Sequence, residues 1–269
     1  MSFRDCRCHL PTRLISMNSK AWLKYFADNL RNRPNPDWHV PVPENEKVSQ
    51  RLARSFSHFQ LGESGEGTFL LRAAACRYAD DPSYLLALQL FIREEQEHAR
   101  LLATLVERHG GALISSHWSQ ALFRIFRHAF GVRFELQVLV TAELAGTGYY
   151  RVLGRRVCDT VVEQVCQIVL RDEAQHIAFH LDRFAADQGR WLPIERAAWA
   201  AQFQVLLLVA ARIVWLDHRD ALEAIGATWR EYQSEVRAEA ICFLSNLAAR
   251  GEIERLTIPG GHAPAPASS

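Results

Sequence analysis

Between positions 44 and 255 the chain has only two prolines, Pro82 and Pro193. Each stands where a helix would begin, the place at which a missing amide donor costs least. Throughout that stretch apolar residues recur with the helical period, and the two-residue alternation of half-buried strands is absent. Apolar stripes of this kind can be buried only by packing helix on helix, so the expected class is all-α. The other prolines gather toward the two ends. They divide the chain into an N-terminal extension (1–44), a helical domain (45–255) and a flexible C-terminal tail (256–269).

Helices are expected at about 45–79, 82–109, 116–129, 132–156, 160–189, 193–225 and 228–250. Asp81 is placed to cap the second, Gly110 and Gly111 to end it, and Thr160-Val-Val-Glu163 reads as a capping box. The short stretch at 116–129 would cross from one hairpin to the next.

Charge narrows the function classes. The 31 basic and 30 acidic residues are mixed along the chain for a net charge of +1, so no basic face for nucleic acid or anionic lipid is announced and small-molecule chemistry is favoured. Six cysteines, at 6, 8, 76, 158, 166 and 242, form no regular disulfide framework, which fits a reducing cytoplasm. No Cys-x-x-Cys pair is present, so an attached rubredoxin-type iron site is excluded and electrons for redox chemistry would come from an external donor. The start of the chain lacks the apolar core of a signal peptide. The longest apolar run, Val205 to Ala211, is too short to cross a bilayer, so a soluble protein without a membrane span is expected.

The chemistry is concentrated in Glu94-Glu95-Gln-Glu-His98 and Asp172-Glu173-Ala-Gln-His176. Each contains Glu-x-x-His, which on a helix sends a carboxylate and an imidazole from one face, about 5 to 6 Å apart at Cβ, close enough to bind one metal ion. The 19 glutamates and 11 histidines of this chain would give about one such pair by chance, so the repeat alone is weak. The surroundings strengthen it. One face reads Tyr84, Leu88, Phe91, Glu95, His98, Leu102, Leu105, and the other Val162, Cys166, Val169, Glu173, His176. Four ionisable groups in apolar seams cost several kcal/mol each unless partnered, which argues against two solvent-facing pairs.

A metal site inside a bundle also needs a carboxylate from each remaining helix. Glu143 lies in the seam Leu136, Leu139, Glu143, Gly146, Tyr150. On the first long helix both Glu63 and Glu66 fall on the face of Phe59, Leu70 and Ala73. Equal depth from the hairpin turns favours Glu66, with Glu63 nearly a turn deeper and kept as an alternative or additional ligand.

Glu, Glu-x-x-His, Glu, Glu-x-x-His on successive helices, covering roughly 45–190, resembles the ferritin-like di-iron carboxylate superfamily. The resemblance implies a ferritin-like four-helix bundle with a crossover helix and additional C-terminal helices. It implies two iron ions, with manganese as the alternative, held by Glu66, Glu95, His98, Glu143, Glu173 and His176. It further implies that Asp172 accepts the proton of His98 and Glu94 that of His176, the outer contact a metal-bound imidazole requires. His180, on the same seam, reads as a third nitrogen ligand, a substrate contact or a hydrogen-bonded core histidine. Tyr149 and Tyr150 read as packing residues or as a relay of electrons. Thr147, one turn after Glu143, is similar in placement to a threonine of bacterial multicomponent hydrocarbon monooxygenases, and with the small residues around it would leave room for oxygen and substrate. The function expected on this ground is oxidation or hydroxylation of a small organic substrate by O2. The alternative is a ferroxidase, peroxidase or iron-handling role, and a homodimer is compatible with either.

Overall fold

The computed structural model describes residues 16–43, 46–120, 131–188 and 191–257. Among them are eight helices and no strand: α1 (Ser19–Arg31), α2 (Glu46–Glu63), α3 (Thr68–Arg77), α4 (Pro82–Arg108), α5 (Val132–Arg156), α6 (Thr160–Gln188), α7 (Pro193–Ala224) and α8 (Trp229–Thr257). The expected crossover at 116–129 lies mostly outside the described residues; its first turn, 118–120, is helical. The tail beyond 257 and the segment before 16 also lie outside them. Among the described cysteines, Cys76, Cys158 and Cys166 are free thiols.

The helix ends show why the chain turns where it does. Asp81 accepts the Tyr84 amide at 3.0 Å ahead of Pro82, and Gly110 closes α4 with φ 71°. At the start of α6 the capping residue is Asp159 and not Thr160: its Oδ1 accepts the amides of Val161 and Val162 at 2.8 and 3.3 Å. A buried carboxylate that also pairs with Arg108 at 3.0 Å outcompetes the neighbouring hydroxyl for those donors.

The single helix expected at 45–79 is two. It breaks after Glu63, and Gly67 takes a left-handed φ of 62°. Glycines 62, 65 and 67 weaken helix here by roughly 1 kcal/mol each relative to alanine. At Gly67 a Cβ would also fall 2.4 Å from Ile92 Cδ1, so only glycine lets the chain pass α4 this closely.

α2 packs along α4, α5 along α6, and α4 meets α6 across the centre. α1 lies against α4, where Trp22 and Phe26 pack on Phe179 of α6. α7 crosses α5 and α2, and α8 covers α5 and α6. Gly148 serves that covering layer, since a Cβ there would meet Val236 of α8 at 2.6 Å. Its small size answers to helix packing and not, as the sequence suggested, to room beside a metal.

Over an 18-residue stretch α7 reaches a mean hydropathy of 1.6, long and apolar enough by composition to cross a membrane, with 22 % of that stretch buried. An uninterrupted run was the wrong measure: Gln202, Gln204 and Arg212 punctuate the helix without offsetting its apolar residues. Ile194, Val205, Leu208, Val209 and Leu216 stay exposed along it.

Candidate metal centre

α4 and α6 bring the two Glu-x-x-His pairs together. The seam residues Tyr84, Leu88, Phe91, His98, Leu102 and Leu105 are buried on α4, as are Val162, Cys166, Val169, Glu173 and His176 on α6. One ligand atom from each of Glu95, His98, Glu173 and His176 lies within 4.8 Å of the others. His176 Nδ1 is 2.7 Å from Glu95 Oε1 and 3.7 Å from Glu173 Oε2. His98 Nδ1 is 3.6 Å from Glu173 Oε1 and 3.9 Å from Glu95 Oε2. Both imidazoles therefore turn Nδ1 toward the same two carboxylates.

Their outer nitrogens are held crosswise. His98 Nε2 lies 3.1 Å from Asp172 Oδ2 on the opposite helix, and His176 Nε2 lies 2.9 Å from Glu94 Oε2. A carboxylate can only accept, so each ring carries a proton on Nε2 and its remaining lone pair is on Nδ1. Glu94 and Asp172, both fully buried, are themselves fixed by a shell the sequence reading missed. Arg33 reaches Asp172 at 2.7 Å and Glu94 at 3.4 Å, and Asn29 donates to both carboxylates. Part of the signal was present in the spacing of Trp22, Phe26 and Asn29, one face of a helix capped by Asn18; Arg33 follows two residues after that helix ends at Arg31.

The inner atoms do not satisfy one another. His98 Nδ1, His176 Nδ1, Glu95 Oε1 and Glu173 Oε2 are buried and make no well-formed hydrogen bond. An unsatisfied buried polar atom costs about 1–3 kcal/mol, and here several such atoms face a common centre. A cation in their midst would satisfy them together. Carboxylates with one imidazole apiece suit iron or manganese better than the sulfur-rich sets that select zinc.

The electrostatics agree with that geometry. Burial, then the charge of Glu95, pushes the Glu173 carboxyl up to about 7. Burial would raise Glu95 as well, but the His176 imidazole overrules it and holds Glu95 below the usual carboxylate range. Burial would depress His176, yet the charge of Glu95, the nearby Glu173 carboxylate and the hydrogen bond to Glu94 raise it well above an ordinary histidine. In the metal-free protein a proton thus competes for the lone pairs that a metal ion would use. For Asp172 burial is again outweighed, by the hydrogen bond and charge of His98 and by Arg33, so it stays ionised.

Glu63, and not Glu66, joins this group. Burial and the adjacent Glu95 raise Glu63 well above the carboxylate range, with Glu173 adding to the repulsion. Glu66 is exposed, in the segment between α2 and α3. Measuring depth from the hairpin turn assumed an unbroken helix, and the glycine-rich break removes that premise. Glu63→Gln is expected to weaken metal binding by about tenfold or more, whereas Glu66→Gln should leave it within about twofold, measured by competition with a chelator.

Glu143 adds its charge to Glu173, and its Oε1 lies 3.0 Å from His180 Nε2. His180 thereby positions Glu143, whose second oxygen makes no hydrogen bond. Thr147 is buried and its hydroxyl has no partner, so it does not bond the carbonyl behind it as Thr141 bonds Val138 at 2.9 Å. Tyr149 exchanges a 2.7 Å hydrogen bond with Ser55, while the buried Tyr150 hydroxyl has none and is raised well above its usual range by burial and by Glu63. Pockets of about 370 and 480 Å³ open elsewhere on the surface, and neither is lined by a member of the cluster.

Comparison with protein-family models, with curated proteins and with solved structures finds no match for this chain. The helical architecture and the buried Glu/His cluster are compatible with a ferritin-like fold.

Proposed function

We propose that this chain is a ferritin-like di-iron carboxylate oxidoreductase that uses O2 to oxidise or hydroxylate a small organic substrate, with electrons from a separate donor. The observation that carries the reading is the facing pair of Glu-x-x-His motifs, each imidazole held from behind by a carboxylate of the opposite helix and directing a lone pair inward. Charge supports it. Glu63, Glu95, Glu143 and Glu173 bring four carboxylates to one buried seam, and the ion pairs that Glu95, Glu143 and Glu173 make among the described residues are with histidines. Two divalent ions balance four carboxylates, whereas one leaves two negative charges uncompensated in a low-dielectric site.

In this reading Glu63, Glu95, Glu143, Glu173, His98 and His176 hold the ions, which supply the redox chemistry when bound. Glu94 and Asp172, anchored by Asn29 and Arg33, fix the imidazole tautomers. His180 keeps Glu143 oriented. Thr147 offers a hydroxyl free to donate or accept a proton one turn from Glu143.

Thr147→Val removes that hydroxyl while nearly preserving volume. The variant is expected to retain its metal and to consume O2 roughly tenfold or more slowly, or to release more peroxide per substrate oxidised, in an oxygen-electrode assay. Unchanged oxygen kinetics at full metal occupancy would make Thr147 a packing residue. A second reading, ferroxidase or peroxidase activity, is favoured by one observation: neither of the two pockets described above is lined by a member of the cluster, which suits a substrate as small as an iron ion or peroxide. Oxygen uptake driven by added Fe²⁺ alone, with no response to any organic substrate, would select it.

A further inference from the structure

On another part of α2, His58 meets His117 and Asp217, the last of these on α7. One ligand atom from each lies within 4.8 Å of the others. The imidazoles of His58 and His117 stack with centroids 4.0 Å apart and planes 29° from parallel. His117 Nδ1 is 2.8 Å from Ser119 Oγ and 3.6 Å from Asp217 Oδ2. His58 Nδ1 is buried and finds no well-formed hydrogen bond. We propose that His58, His117 and Asp217 form a second metal site, separate from the glutamate-rich centre, that takes a zinc-class divalent cation.

The donor chemistry sets the choice of ion. Two nitrogens and one carboxylate match the sets used by zinc when one position is left open, whereas a hard ion such as magnesium would prefer oxygen alone. With Zn–N distances of about 2.0–2.1 Å, ligand atoms around a tetrahedral zinc stand roughly 3.3–3.5 Å apart. A spread of 4.8 Å closes by small rotations of side chains that are only partly buried. The fourth position would face the pocket of about 480 Å³, from which water or an external ligand enters.

Arg51, Arg54 and Arg219 also line the pocket, so the ion is not drawn there by overall charge; the directed lone pairs and the Asp217 carboxylate must hold it. Because α2 packs on α7, an ion here would tie the helix that carries Glu63 to the outer layer.

The test is a Zn²⁺ titration against a chromophoric chelator, repeated with Co²⁺ to read coordination from its visible spectrum. It uses the full chain and a Glu95→Gln/Glu173→Gln variant whose glutamate-rich centre is disabled. The disabled variant is expected to keep one tight equivalent, with the intense visible bands of four-coordinate Co²⁺. In the otherwise unaltered chain, His58→Ala, His117→Ala and Asp217→Asn should each lose that equivalent or weaken it at least tenfold, with helical circular dichroism unchanged. All three substitutions are at partly exposed positions, so at least one folded variant is available even if the double variant fails. Zinc stoichiometry and affinity equal to the parent in the folded variants would overturn the proposal.

Discussion

Glu173→Ala is expected to lose the bound metal, with affinity falling about 100-fold or more, and yet to cost the metal-free protein little stability. The two halves of that result have one cause. Glu173 is buried beside Glu95 and Glu143, and this environment raises its carboxyl to about 7. A group whose folded pKa lies above its unfolded value contributes stability that is complete below the unfolded pKa and is lost as pH rises through the folded one. The metal-free parent should therefore melt lower at pH 8.5 than at pH 5.5, by roughly 2 kcal/mol, or several degrees, from Glu173 alone. Glu63 and His176, both raised, act in the same direction. Removing the Glu173 carboxylate relieves this repulsion, so the variant's melting point should fall less between those pH values. Adding Fe²⁺ or Mn²⁺ to the parent should reverse the trend, because metal displaces protons and binds more tightly at higher pH. Glu95 is not equivalent. It is held ionised against His176 at 2.7 Å, and its loss strands that ring. For comparison, Phe179→Ala, which empties a buried site between Trp22, Phe26, Tyr84 and Phe91, should cost about 3–5 kcal/mol whether or not metal is present. A metal-free Glu173→Ala protein that melts as low as Phe179→Ala would show the glutamate to be a structural residue.

Arg33→Ala should destabilise the fold by about 3–5 kcal/mol and weaken metal binding by roughly 10–100-fold, although Arg33 touches no inner ligand. Its guanidinium is the main cationic partner of two fully buried carboxylates, Asp172 at 2.7 Å and Glu94 at 3.4 Å. Arg171 also reaches Asp172 but is itself partly exposed. Without Arg33 the carboxylates lose their compensation, and the imidazoles they orient lose a fixed tautomer. Arg33→Lys should restore only part of the effect, since one ammonium cannot serve two acceptors in the planar fork that arginine offers. Thermal denaturation and chelator competition read both quantities. A change below about 1 kcal/mol with unaltered affinity would remove Arg33 from the account.

The helices and the inner pairs were legible because each announced itself locally. Glu95, His98, Glu173 and His176 stand in phase with Phe91, Leu102, Val169 and other buried residues, and an ionisable group in such a seam demands a partner. Glu63 was misranked for a local reason too: three glycines between positions 62 and 67 mark a helix end, but the periodicity continues across them and conceals the break. Asn29 and Arg33 escaped because nothing in the neighbourhood of α1 names Glu94 or Asp172 as partners. His58, His117 and Asp217 were illegible for the same reason, more strongly, since each comes from a separate segment and only tertiary packing joins them. The exposed apolar residues of α7 show the opposite limit, where pattern suggests burial that the described chain does not supply.

The proposed function requires two redox-active ions in the glutamate-rich centre. The most direct measurement is Mössbauer spectroscopy with elemental analysis on protein produced in medium enriched in ⁵⁷Fe, compared with the Glu173→Ala variant. About two irons per chain are expected, magnetically coupled to each other and absent from the variant. Iron near zero, a single uncoupled iron, or an iron content that Glu173→Ala leaves unchanged would contradict it.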